Sequence, residues 1–159
     1  MHLEPMLLAL LVGANGFAAG VAEEIVFRGL VLYALVRAWS DDLHGLIRAV
    51  AVSSFLFASP HLLNLLAGND PWFTGAQLVW AFLLGAAFAL LVLVGGSLWP
   101  VALVHGLGNA VMHLNRLGET VAPEPTTAVL LATAPIPLVV YTAWLFGRSR
   151  ARATALTPS

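Results

Sequence analysis

Residues 5–36 hold only three charged side chains, Glu23, Glu24 and Arg28, in a run that is otherwise apolar or small. Such a run has few ways to fold. An ionised side chain at the centre of a membrane helix costs about 2.5–3.5 kcal/mol on insertion scales, so charges kept there mark function by default. About 20 mostly apolar residues make one helical crossing of a bilayer. The first run, about Pro5 to Arg37, exceeds one straight crossing, and Gly13, Gly16 and Gly20 are places where it would bend or divide. Four more apolar segments follow, at about His44–Ala67, Phe73–Val94, Leu98–Asn115 and Thr126–Phe146. Pro100 falls in the first turn of the fourth, where its missing N–H is tolerated, and Pro135 and Pro137 predict a kink in the fifth.

The pattern predicts an all-α fold, a polytopic transmembrane helical bundle of about five membrane segments. Hydrophobic residues make up 60% of the chain and charged residues 9%, against about 25% charged in a soluble domain. One domain is expected over residues 1–147, followed by a polar tail at 148–159 that is expected to be disordered and cytoplasmic. The absence of cysteine removes disulfides, thiolate ligands and a cysteine nucleophile. All seven basic residues are arginine, so no catalytic lysine exists either. The net charge of −1 and the lack of a basic stripe give no reason to expect a nucleic-acid partner. If the segments alternate, Arg37, Arg48, Arg148, Arg150 and Arg152 share one side. Arg116 lies on the other with Asp70, Glu119 and Glu124. The positive-inside rule then puts the tail in the cytoplasm of a multi-pass cell-membrane protein.

The polar residues within the segments form a pattern. Glu24 and Arg28 are four apart and share a helix face, so they can pair and leave Glu23 pointing elsewhere. A purely structural ion pair needs only one carboxylate. The second segment carries Pro60, His61 and Asn64; the fourth carries His105 and Asn109 on one face, with His113 nearer the membrane boundary, where a plain interfacial role fits it best. Taken singly, each histidine or asparagine reads as an interhelical hydrogen bond. Together, two glutamates and two histidines from three helices are ligand types that suit zinc or another divalent metal. They are equally the parts of a metal-free site, with a carboxylate as base and a histidine orienting water. His105 and Asn109 can instead donate to a developing oxyanion. Ser53, Ser54 and Ser59 lie in the second segment without an intramembrane aspartate to complete a triad. Asp41 and Asp42 read as helix-capping or solvated residues.

At these residues the chain resembles the CPBP family of intramembrane proteases, also called the Abi or CAAX-protease family. That family includes type II CAAX prenyl endopeptidases and bacterial bacteriocin-processing or self-immunity proteins. Its Glu-Glu-x-x-x-Arg, Phe-x-x-x-His and His-x-x-x-Asn motifs correspond here to Glu23-Glu24-x-x-x-Arg28, Phe57-x-x-x-His61 and His105-x-x-x-Asn109. Flanking residues agree: Phe27-Arg28-Gly29, His61-Leu62-Leu63-Asn64, Gln77, and Ser97-Leu98-Trp99-Pro100. Each motif is weak alone, but three in order at helix-compatible spacing are a strong signal across about Ala9 to Asn115.

The resemblance implies a helical bundle with a site open to the bilayer interior. Glu23 would be the base on the attacking water or a metal ligand, and His61 would hold the same water or metal. His105 and Asn109 would stabilise the oxyanion or complete the ligand set. Glu24 and Arg28 would orient the first helix, with Asn64 in support. Glu23, His61 and His105 are thus the candidate metal ligands, with zinc or another divalent ion as cofactor, and a metal-free glutamate mechanism stands beside that reading. The family's members commonly carry extra membrane helices before the acidic motif, which here begins at residue 23. The expected function is an intramembrane metalloprotease-like endopeptidase acting on membrane-associated, prenylated or precursor peptides. A non-enzymatic immunity or scaffold protein that binds a peptide in the same groove is the alternative, and a proton-pathway transporter is a third reading.

Overall fold

The computed structural model describes residues 3–118 and 125–156. Glu119 and Glu124 of the second loop, and residues 157–159 of the tail, lie outside the described residues. The described chain is helical throughout, with no strand among the described residues. Helix α1 (Leu3–Glu24) runs directly into a π-helical stretch, Ile25–Leu32, and then into α2 (Tyr33–Trp39). Helix α3 (Leu43–Ala58) continues through a 3-10 turn, Ser59–Leu62, into the short α4 (Leu63–Leu66). Then come α5 (Pro71–Gly95), α6 (Trp99–Arg116), α7 (Pro125–Thr133) and α8 (Ile136–Leu156).

Local chemistry sets these boundaries. Asp42 caps α3 by accepting from Gly45 N at 2.6 Å, and Asp70 caps α5 by accepting from Phe73 N at 2.8 Å. Pro71 follows Asp70 in the first turn, and Gly96, at φ 68°, closes α5 in the left-handed conformation. Pro60 has no N–H for the Leu56 carbonyl, and Ser59 Oγ donates to that carbonyl instead, at 3.0 Å. The fifth segment is interrupted at Pro135, between α7 and α8.

Helix α1 packs antiparallel on α6, with Gly13 against Leu114 and Gly20 against His105 and Gly106. A Cβ on Gly16 would meet the Asn109 carbonyl oxygen at 2.8 Å, and one on Gly20 would meet Gly106 Cα at 2.8 Å. These glycines do not divide the first segment, which stays helical from Glu4 to Trp39. They let two backbones touch, as small residues do between membrane helices. Helices α3 and α5 form a second antiparallel pair, with Phe57 and Ala58 on Ala81 at one level and Val50 on Ala89 and Leu32 at another.

Four helices are long and apolar enough to cross a membrane: Glu4–Trp39, Leu43–Leu66, Pro71–Gly95 and Thr126–Arg152. The fourth expected segment, α6, is not among them, because His105, Asn109, His113 and Arg116 form a polar stripe that lowers its hydropathy. It still packs along α1 from Gly13 to Glu24, and its 18 residues reach about 27 Å. The tail also departs from expectation. Instead of becoming disordered at residue 148, α8 continues to Leu156. Alanine and arginine, which recur at residues 148–155, are strong helix formers.

Candidate active site

The site is assembled where the α1–π segment, α6 and the α3–α5 pair meet. Glu24, the last residue of α1, is fully buried at 0% exposure, and Arg28 is 2% exposed. Their side chains pair one turn apart, with Arg28 Nε 3.1 Å from Glu24 Oε2. Burying two charges is stable only when both are well partnered; the neighbours supply some partners, while Arg28 Nη1 has no hydrogen-bond partner among the described residues. Arg28 Nη2 donates to the Gly85 carbonyl of α5 at 3.2 Å. The guanidinium also lies over the Phe57 ring, 4.1 Å from its centroid. The other carboxylate oxygen, Glu24 Oε1, accepts from His105 Nδ1 of α6 at 2.8 Å.

That last bond fixes His105. With its Nδ1 proton donated to Glu24, the Nε2 edge is turned to Glu23, whose Oε2 lies 3.6 Å away. The edges of Phe57 and Phe88 confine the imidazole, with ring centroids at 5.6 and 6.1 Å. Glu23 differs from its neighbour, because its side chain is 39% exposed. It lines a cavity of about 680 Å³ together with His61, Asn64, Gln77, His105 and Asn109.

The 3-10 turn after α3 sets His61, whose Nδ1 lies 3.2 Å from the Ala58 carbonyl. A carbonyl only accepts, so Nδ1 carries the proton, and in the neutral ring Nε2 keeps a lone pair. Asn64 Nδ2 donates to Gln77 Oε1 at 2.8 Å, joining α4 to α5 on the cavity wall. The π-helical stretch is tied to α3 as well, because Ser53 Oγ donates to the Phe27 carbonyl at 3.1 Å. Segments of π-helix interrupt α-helices frequently at functional sites, and this one starts at the residue after the acidic pair.

A family model of the type II CAAX prenyl endopeptidases, Rce1-like, matches residues 5–111. The chain belongs to this family. Neither the curated proteins nor the solved structures yield a match. The matched stretch of this Rce1-like chain holds every residue singled out above as catalytic or supporting.

The structure brings Glu23, Glu24, Arg28 and His105 into one connected group. His61, Asn64 and Asn109 share the cavity with Glu23 and His105, whereas Glu24 and Arg28 sit behind His105 and are absent from the cavity wall. His113 lines the cavity as well, together with the loop residues Asn69 and Asp70 and with Arg116. The sequence reading missed three features: Ser53 as a hydrogen-bond donor, the Gly85 carbonyl as an acceptor, and the Asn64–Gln77 bond. A signal for the second was present, since a buried guanidinium has five N–H groups and one glutamate cannot satisfy them all.

For a metal, the site meets one requirement and fails another. His105 has the carboxylate-held Nδ1 and outward Nε2 of a good ligand. Among the described residues, however, no three His, Asp or Glu side chains lie close enough to share one ion. Glu23, His61 and His105 share a cavity but are not assembled as a metal site.

Proposed function

We propose that this chain is an intramembrane endopeptidase in which Glu23 activates the attacking water. The observation that carries the reading is the pairing of Glu23 with His105 at one end of a membrane-bundle cavity, the histidine being held by a buried Glu24–Arg28 pair. Membership of a CAAX endopeptidase family supports the same reaction class.

In this mechanism the water sits between Glu23 and His61 Nε2, which accepts one of its hydrogen bonds. Glu23 takes a proton as the water oxygen bonds to the scissile carbonyl carbon. The oxyanion that forms is stabilised by Asn109 and His105, which line the cavity with Glu23. Collapse of the intermediate breaks the C–N bond, and the proton held by Glu23 passes to the leaving amine. The products are a carboxylate and a free amine. After its bond to Asn64, the Gln77 amide still has an N–H to donate, and Asn64 Oδ1 still accepts. The pair therefore suits the C=O and N–H groups of an extended substrate backbone. Glu24 and Arg28 act by positioning His105. No step uses a metal.

The substrate class is a membrane-embedded or lipid-proximal peptide, including prenylated chains and peptide precursors. The chain is placed as a multi-pass membrane protein with its C-terminal end cytoplasmic, on the strength of its arginine distribution. The deciding experiment is membrane peptidomics on cells expressing the wild type or Glu23→Gln at equal levels. Fragments dependent on Glu23 are expected. If both proteins are folded and inserted and their peptidomes are identical, the protease reading fails and the peptide-binding immunity or scaffold role takes its place.

A further inference from the structure

The end of the bundle away from the catalytic cavity carries most of the positive charge. Arg37 and Arg48 lie beside the α2–α3 turn, and Arg148, Arg150 and Arg152 lie on the last turns of α8, so five of the seven arginines gather there. Only Asp41 and Asp42 oppose them on the described connections at that end, and Asp42 Oδ1 is engaged in capping α3.

Within this surface is a recess of about 260 Å³ between the end of α5 and α8, lined by Val94, Trp144, Leu145, Arg148, Ser149 and Arg152. Arg148 and Arg152 are one turn apart on the same face, so their side chains reach a common point. Neither has an ion-pair partner among the described residues. Ser149 Oγ donates to the Phe146 carbonyl at 2.8 Å, which leaves the two guanidinium groups as the charged donors of the recess. Arg148 is held over the Trp144 ring, 4.7 Å from its centroid, and Tyr141 stacks on the same ring. Aromatic rings of this kind sit at the level of lipid headgroups. Cations near a helix C-terminus are also favoured by the helix dipole, but that effect requires neither a shared recess nor an apolar floor.

We propose that this recess binds the phosphate of an anionic phospholipid, held by both arginines, with Val94, Trp144 and Leu145 against the glycerol and upper acyl chain. Guanidinium groups pair with phosphate through two N–H donors at once. A juxtamembrane arginine cluster also gains from the negative surface potential of the cytoplasmic leaflet. The site is separate from the catalytic cavity and does not depend on the protease reading.

The test is thermal unfolding of the full chain in detergent, titrated with phosphatidylglycerol, phosphatidylcholine or inorganic phosphate. Phosphatidylglycerol at saturation is expected to raise the midpoint by about 3–6 °C, with little effect from phosphatidylcholine. Arg148→Gln with Arg152→Gln should remove the shift, and each single variant should reduce it. If the double variant does not fold, native mass spectrometry of the wild type and the single variants decides, with retained phosphatidylglycerol expected to fall in each variant. Equal shifts from the two lipids would overturn the proposal. So would a shift that survives in the variants, or one reproduced in full by inorganic phosphate, which would assign the recess to the free ion.

Discussion

At the scale of single residues, Glu23 and Glu24 are adjacent and chemically identical but do different work. Glu24 is sealed between Arg28 and His105, whereas Glu23 faces the cavity. Glu24→Gln or Arg28→Gln leaves a buried charge without its partner, and each is expected to cost about 3–5 kcal/mol. Glu23→Gln should leave stability within about 0.5 kcal/mol while lowering kcat at least about 100-fold, the lower end of what a general base contributes. Denaturant unfolding in detergent and turnover of a substrate identified by peptidomics measure the two effects. Equal destabilisation by the Glu23 and Glu24 variants would show that the division of roles is wrong. Ser53→Ala should cost about 1 kcal/mol by leaving the Phe27 carbonyl without its donor. The Glu24–Arg28 pair was legible in the sequence because a four-residue spacing fixes a shared helix face. The bond from Glu24 to His105 was not, because 81 residues separate the partners and only tertiary packing brings them together.

At the scale of elements, the α1–α6 contact decides whether the site exists. Gly20 touches the backbone of Gly106 and His105, so whatever separates the helices there also moves His105 away from Glu24. Gly20→Val is expected to destabilise by about 1–3 kcal/mol through overpacking and to reduce activity further than its stability loss explains. Gly75→Ala, where a Cβ meets nothing within 4 Å, should be neutral or stabilising by up to about 1 kcal/mol. Thermal unfolding of both variants checks the contrast, and a tolerated valine at Gly20 would refute the close-packing account. Read from the sequence, Gly13, Gly16 and Gly20 suggested bends. Small residues serve a bend or a close contact equally well, and only the partner helix distinguishes the two. The helical segments themselves were legible because hydrocarbon leaves the backbone no other partner than its own chain. The polar stripe of α6 is visible too, as His105, Asn109 and His113, and it is what lowers the hydropathy of that helix.

At the scale of the whole molecule, the bundle surrounds a polar cavity with helices whose outer faces are apolar, such as Leu10 at 62% and Leu130 at 69% exposure. Because no three ligands converge there, stripping metal with a membrane-permeable chelator is expected to leave proteolysis unchanged in purified protein. Loss of activity that returns on adding zinc would show that the ligands close around an ion. The π-helical stretch has a broader consequence. Its wide turns hold more residues per turn than an α-helix, and they lie between the acidic pair and the contact of Leu32 with Val50 and Ala89. Ile25, Val26 and Leu30 face outward there, so exchanging them for other apolar residues changes little. Deleting any one of them takes one residue's rotation and rise out of everything downstream, turning Leu32 off its neighbours or Glu24 off His105. The segment is thus open to change in spelling but closed to change in length, and insertions or deletions there should be as damaging as loss of the motif residues themselves.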